Sequence, residues 1–371
     1  MSPARQRKLL AAFGLPENVF AQSRANLASV AGDEAADALL AGSGPAAVEA
    51  ALAWAEEPGN GILTLADAAY PQGLLEIADP PPVLYVKGDP ALLSRPALAM
   101  VGSRAASAQG EADAEAFARS LGAAGLVIVS GLALGIDAAA HRGALAAEGG
   151  RTVAVVGTGM DRIYPARNAG LAREIAVRGA IVSEFPLGAP PVAHHFPRRN
   201  RLIAGISMGV LVIEATLNSG SLITARLAAE AGREVFAIPG SIHSPQARGC
   251  HRLIRQGAKL VETAEDVFEE LRGRLGGALP PPAGAESARQ SAARALRAGT
   301  PPAPPAPALA PEVLRVLEAL GEKARDIDAL ALATGLGVEA LYAHLLTLEL
   351  EGLAVRQPGA GFLRLYMPLD S

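Results

Sequence analysis

The sequence predicts a doubly wound α/β domain with a mostly parallel sheet, set between a small helical N-terminal module and a winged-helix tail. Three observations predict it. Between residues 97 and 272, short continuous apolar runs alternate with helical stretches, the pattern of parallel strands buried on both faces. Most of those runs end in a polar turn containing glycine, the connection that feeds a strand into a helix. The chain has 371 residues, 50% of them hydrophobic and 19% charged, so most of it folds around sizeable cores.

Residues 1–57 read as short helices broken at Gly14-Leu15-Pro16 and at Gly42-Ser43-Gly44-Pro45, one helical domain over 1–60. Arg5, Arg7 and Lys8 precede the apolar run Leu9–Leu15, which is too short for a signal peptide and reads as an amphipathic helix. Residues 58–96 are punctuated by proline, with strand-like pieces at Ile62–Leu65 and Val83–Val86. The core proper, assigned to 61–274, then follows one plan. Strands fall at Ala97–Val101, Leu126–Val129, Thr152–Val156, Ala180–Ser183, Val210–Ile213 and Glu234–Ile238, with helices over about 107–123 and 137–148. The uncharged stretch Ser120–Ile136 approaches membrane-spanning length. Its Gly122, Gly125, Gly131 and Gly135 divide it into strand and loop, and no membrane association is expected. Residues 275–310, rich in Pro and Ala, read as a linker. Beyond it, over 311–371, helices at Pro311–Leu320, Asp326–Ala333 and Val338–Glu351 and a hairpin over Leu353–Tyr366 give the winged-helix plan.

Charge narrows the function. The net charge of −4 excludes a uniformly basic nucleic-acid glue. Residues 1–88 carry 5 basic and 10 acidic groups, 89–274 carry 20 and 17, and 275–371 carry 8 and 10, so the positive balance lies in the middle. The single cysteine excludes an intramolecular disulfide and a cysteine-based zinc site and predicts a cytoplasmic protein. Adjacent His194 and His195 lack any carboxylate–histidine spacing, so no metal and no cofactor is expected.

In an open α/β sheet, ligands sit at the carboxyl ends of the strands. There the chain places Gly102-Ser103-Arg104, Ser130-Gly131 with Gly135 and Asp137, Gly157-Thr158-Gly159, Ser219-Gly220-Ser221 with Thr224, and Pro239-Gly240-Ser241. Glycine turns before helices present backbone N–H groups to anions, the serines and threonine add hydroxyls, and Arg104 adds fixed charge. Together they predict phosphate binding. No G-x-x-x-x-G-K-[ST] and no complete G-x-G-x-x-G is present, which argues against a Walker NTPase and a nicotinamide enzyme. A second concentration, His194-His195-Phe196-Pro197-Arg198-Arg199-Asn200-Arg201, reads as a basic loop beside an aromatic, suited to single-stranded nucleic acid. The alternative is that one or two of its arginines pair with Glu184, Glu214 or Asp137. His141 shares a helix face with Asp137, and a structural bond there is favoured over a catalytic dyad.

In order and spacing these strings resemble the DNA-processing protein A (DprA, or Smf) family. The match runs from Tyr70-Pro71 and Pro82–Tyr85 through Ala99–Arg104, Ser130–Asp137, Gly157–Asp161 with Tyr164-Pro165, Ser183–Pro186, Phe196–Arg201 and Ser219–Thr224 to Pro239-Gly240. The resemblance implies an extended Rossmann-like core that binds single-stranded DNA, protects incoming DNA and loads RecA recombinase during natural transformation. It also implies homodimers, a sterile-alpha-motif-like N-terminus and no catalytic residue. It carries Gly102, Ser103 and Arg104, and Ser219 to Thr224, over as phosphate loops. Phe196 becomes the base-contacting aromatic, with Arg199, Asn200 and Arg201 as a basic strip. Some relatives have a lysine where this chain has Ala193, and Arg198 is expected to supply that charge. A competing class, nucleotide-processing Rossmann-like enzymes of the phosphoribohydrolase type, carries a Pro-Gly-Gly-x-Gly-Thr motif that Pro239-Gly240-Ser241 does not complete. The expected recognition helix of the tail holds Glu339, Glu349 and Glu351 with no Lys or Arg, which points to a protein partner rather than duplex DNA.

Overall fold

A computed structural model describes residues 3–42, 44–275, 311–320, 325–350, 353–357 and 361–364. The chain forms two compact units divided between residues 288 and 289. The expected linker falls, from 276 to 310, outside the described residues, as does the tip of the expected hairpin at 358–360.

The first unit opens with α1 (Pro3–Phe13), α2 (Pro16–Phe20), α3 (Arg24–Ala31), α4 (Asp33–Ala41) and α5 (Pro45–Glu56). Leu9, Val19, Leu27, Ala31, Ala35 and Ala36 give α1 to α4 a core of their own. Two features join this helical module to the α/β core: α5 packs on β1 (Asn60–Thr64), and Arg7 on α1 bonds to the Asp79 carboxylate and the Pro80 carbonyl.

The core is a nine-stranded sheet. After β1 come α6 (Gln72–Leu75), β2 (Val83–Gly88), β3 (Ala97–Val101), α7 (Ala108–Ala123), β4 (Val127–Ser130), α8 (Ile136–Ala146) and β5 (Arg151–Val155). Then come α9 (Ala169–Arg178), β6 (Ala180–Ser183), α10 (His195–Ile206), β7 (Gly209–Val212), α11 (Ser221–Glu230), β8 (Glu234–Ala237), α12 (Arg248–Arg255), β9 (Lys259–Leu260) and α13 (Ala264–Leu275). The spatial order is β1-β2-β6-β5-β4-β3-β7-β8-β9; β2 pairs antiparallel with both β1 and β6, and the other neighbours pair parallel. The chain builds outward from β3 through β4, β5 and β6, then returns to build the other way through β7. The order therefore reverses between β3 and β7, where ligands collect in doubly wound folds. Side chains alternate faces along a strand, and β3 shows it: Ala97, Ala99 and Val101 join the core under α10, α11 and α12, while Leu98 and Met100 join the core under α7, α8 and α13.

The expected strands form within one or two residues of their predicted ends. The two-residue β9 carried no apolar run and was not foreseen. The segment read as a basic loop at 194–201 is instead the first half of α10. Pro197 sits in the first turn, where its missing N–H costs little, and Leu202, Ile203 and Ile206 bury the far half.

The second unit is a winged-helix module with its own core of Val313, Val316, Leu330, Leu341, Leu345, Leu348 and Phe362. Its helices are α14 (Pro311–Ala319), α15 (Ile327–Thr334) and α16 (Val338–Leu350), and β10 (Ala354–Gln357) pairs antiparallel with β11 (Gly361–Arg364). Asp326 caps α15 by accepting from the Ala329 N–H, and Gly335 ends it in the left-handed conformation. On α16, Val338, Tyr342 and Leu346 are exposed at four-residue spacing.

Candidate nucleic-acid interface

A cleft of about 500 Å³ opens at the carboxyl ends of β3 and β7. Gly102, Ser103 and Arg104 form one wall, Ser219, Gly220, Ser221 and Thr224 another, Arg199 and Asn200 a third, and Asp137 lies at its base. The close approach of the walls depends on glycine. Gly135, at φ +72°, lies so near the Ser103 carbonyl that an added Cβ would come within 2.3 Å of it.

The helix starts around this cleft are not equivalent. Gly131 N–H and Ala133 N–H donate to the Asp137 carboxylate at 3.1 and 3.4 Å, so the protein's own anion occupies the start of α8. At α7, the Glu214 carboxylate accepts from Ser107 N–H at 2.9 Å and from its hydroxyl at 2.6 Å. The first turn of α11 holds no acidic residue. It combines a helix N-terminus with the paired Ser219 and Ser221 hydroxyls, 2.7 Å apart, and the Thr224 hydroxyl. Of the α7, α8 and α11 starts, only that of α11 is left without a carboxylate of the protein, and Arg104 is exposed on the cleft.

The arginines of α10 differ from Arg104. Arg199 is buried beside Asp137 and donates to the Val155 carbonyl; its guanidinium lies over Gly131, where a Cβ would come within 2.0 Å of Nη1. Burial draws its pKa down to about 10 against the attraction of Asp137. Burial likewise raises the Asp137 carboxyl, opposed by Arg199, by the Ala133 and Gly131 N–H groups and by Arg104. Arg198 and Arg201 both bond to Glu184 Oε2, at 2.8 and 2.6 Å, and that carboxylate is only 1% exposed. Arg201 also reaches Asp79 at 3.4 Å. The pairing foreseen as an alternative thus forms at Glu184, with Arg199 facing Asp137 across the cleft base.

Ser130 lies below the site, its hydroxyl donating to the Met100 carbonyl. Asp137 and His141 do not form a dyad: His141 Nδ1 meets Thr152 Oγ1 at 2.7 Å. Since Thr152 donates to the Ile128 carbonyl, Nδ1 carries the proton and donates to Thr152. Burial, with Arg199 adding to it, drives the imidazole down to about 3, too low for a base working near neutrality. Gly157-Thr158-Gly159 backs Phe196 rather than lining the cleft, since the nearest atom to a Cβ at Gly157 is Phe196 Cδ1. Over Phe196 stands the Arg104 guanidinium, 5.4 Å from the ring centroid, and Tyr164 packs against the same ring at 5.5 Å. Gln246, ahead of α12, completes the cleft by donating to the Ala105 carbonyl. Sequence reasoning missed it because it belongs to no motif and lies 141 residues from its partner.

Among the described residues no group of three or more His, Cys, Asp or Glu is arranged to hold a metal, and no single helix is long and apolar enough to cross a membrane.

Residues 61–272 match the family described as DNA recombination-mediator protein A, and residues 300–360 match the DprA winged helix domain. The chain is similar to Protein Smf of Escherichia coli, 42% identical over 319 residues that cover 86% of this chain and 81% of that protein. It is similar to the DNA processing protein DprA of Streptococcus pneumoniae, 50% identical over 207 residues covering 56% and 73% of the two chains. Among solved structures, the DNA processing protein A of Streptococcus pneumoniae superposes with a TM-score of 0.65 at 41% identity, covering 72% of this chain and 93% of that one. The Helicobacter pylori protein, whose structure describes a single-stranded DNA binding mode, gives a TM-score of 0.52 at 32% identity, covering 57% and 96%.

Proposed function

The chain belongs to the DNA recombination-mediator protein A family, and from that premise we propose that it binds single-stranded DNA in the β3/β7 cleft. One observation carries the reading: an acid-free helix start lined by hydroxyls faces an exposed arginine stacked on an aromatic ring. Phosphates are held at the start of α11 and by Arg104, and bases lie toward Phe196. This division suits single strands, because every base offers a face for stacking. The Helicobacter pylori neighbour, whose structure describes a single-stranded DNA binding mode, supports the same reading.

The proposal extends to a cytoplasmic, non-catalytic mediator that protects incoming DNA and loads RecA recombinase during natural transformation, working as a homodimer. The buried, neutral His141 and the bonds that occupy Asp137 support a binding role over the phosphoribohydrolase alternative. The winged-helix module is assigned a protein partner, because α16 exposes Val338, Tyr342 and Leu346 with no Lys or Arg along the helix.

The test titrates poly-dT and duplex DNA against the full chain at several salt concentrations. Single strands are expected to bind tighter, with affinity falling steeply as salt rises. Equal affinity for duplex, or release of free base from a nucleotide, would overturn the reading. A 305–371 fragment that grips duplex DNA at physiological salt would overturn the assignment of the tail.

A further inference from the structure

We propose that Tyr164, on the β5–α9 loop, is the base-stacking surface of the nucleic-acid path, seated on Phe196 beside the phosphate cleft. The inference rests on the single-strand reading above and names the side chain that receives the base. Phe196 is half-buried and already engaged: Arg104 stands over its ring at 5.4 Å, Tyr164 packs against it at 5.5 Å with the planes tilted by 41°, and the Gly157 backbone lies beside its edge. At 5.5 Å between centroids there is no room for a base between the two rings, since inserting one would need about twice the usual stacking distance. Tyr164 is 46% exposed and presents an open ring to solvent. Ile163, next to it in the chain, and Leu134, on the loop that Asn168 ties to this one, are exposed as well.

The seat is fixed. Asn168 Nδ2 donates to the carbonyls of Leu132 and Ala133 at 2.9 and 3.1 Å, tying the Tyr164 loop to the β4–α8 loop that carries Leu134. Thr158 Oγ1 donates to the Arg162 carbonyl at 2.9 Å and closes the same loop on itself. A ring held this way loses little freedom when a base stacks on it, so most of the contact energy is retained in binding. Arg104, Phe196 and Tyr164 form one contiguous assembly, with a phosphate-binding cation at one member and an exposed ring at another. The geometry matches the alternation of phosphate and base in a single strand.

The experiment compares a dT oligonucleotide with an otherwise identical oligonucleotide whose central residues are abasic, on wild type, Tyr164→Phe and Tyr164→Ala. Tyr164→Ala is expected to weaken dT binding by about 5- to 150-fold, the worth of one base–aromatic stack, and to leave the abasic oligonucleotide unchanged. Tyr164→Phe, which keeps the ring, is expected to bind dT as wild type does. In a Trp54→Phe background, Tyr164→Trp places the sole indole at this position, and dT is expected to quench it more strongly than the abasic oligonucleotide. Equal loss for both oligonucleotides, or unchanged dT affinity in Tyr164→Ala, would overturn the proposal. Failure of wild type to bind dT at all would instead overturn the single-strand reading, and the platform with it. Thermal melting of the variants checks that each remains folded.

Discussion

The strip on α10 and the lip of the cleft both carry arginine, and the protein uses them in opposite ways. Arg198 and Arg201 converge on one carboxylate buried at 1% exposure, and Arg199 is buried, donating to a backbone carbonyl and attracted by Asp137. Arg104 is exposed, takes part in no ion pair among the described residues, and rests on an aromatic ring. A count of positive charge places three of the four in the strip. A count of available positive charge favours the lip. The strip holds the shape of the site, and the lip keeps its charge exposed to solvent. The same contrast separates the helix starts, where Asp137 and Glu214 occupy two and leave α11 open.

Denaturant unfolding of the full chain puts this contrast on one scale. Glu184→Ala removes the carboxylate that Arg198 and Arg201 share, leaving Arg201 only its longer contact with Asp79, and is expected to cost about 3 kcal/mol; a loss below about 1 kcal/mol would return Arg198 and Arg201 to the ligand-facing class. Gly131→Ala pushes the Arg199 guanidinium off its seat and is expected to cost about 1–3 kcal/mol, measured as a lowered unfolding midpoint. The pH response locates the buried end of the site. His141 falls from its ordinary 6.5 to about 3 on folding, so between those values the unfolded chain takes up a proton that the folded chain refuses. Its contribution is complete above about pH 6.5 and is lost as pH falls toward 3. Wild type is therefore expected to lose about 2 kcal/mol more than His141→Gln between pH 7 and pH 5, and parallel pH profiles would contradict it. Arg104→Ala is expected to change stability by less than about 0.5 kcal/mol while reducing the salt slope of single-strand binding by about 0.7, the share of one phosphate. A large stability loss there, or an unchanged slope, would erase the distinction between lip and strip.

The strands at 97–101 and 180–183 were legible to the residue, because a short continuous apolar run bounded by turn residues is too short for a helix and reads as a parallel strand buried on both faces. Glycine turns at the strand ends were legible because glycine punctuates strand–helix connections, and the fold uses that at Gly135 through a positive φ and at Gly102 and Gly131 through close neighbours. The helical state of 195–201 was not, since Pro197 and three arginines obscure the periodicity that only becomes apolar at Leu202. The pairing at Glu184 was legible only as one of three alternatives, because it joins residues 14 and 17 positions apart through a turn whose path the local pattern does not set. Tyr164 was visible only as part of a resemblance, because an exposed tyrosine in a loop carries no periodic signal.

By itself the sequence determined the strand–helix alternation, the glycine loops at the strand ends, and the confinement of positive balance to the middle of the chain. Local sterics and apolar periodicity settle these, and both act over a few residues. Only the tertiary structure decided which charges remain available. Whether an arginine faces a ligand depends on which carboxylate the fold brings beside it, and Glu184, Asp137 and Glu214 reach their partners across turns and crossovers. Desolvation then fixes the outcome, since a buried cation must keep its partner while an exposed one is free to change it.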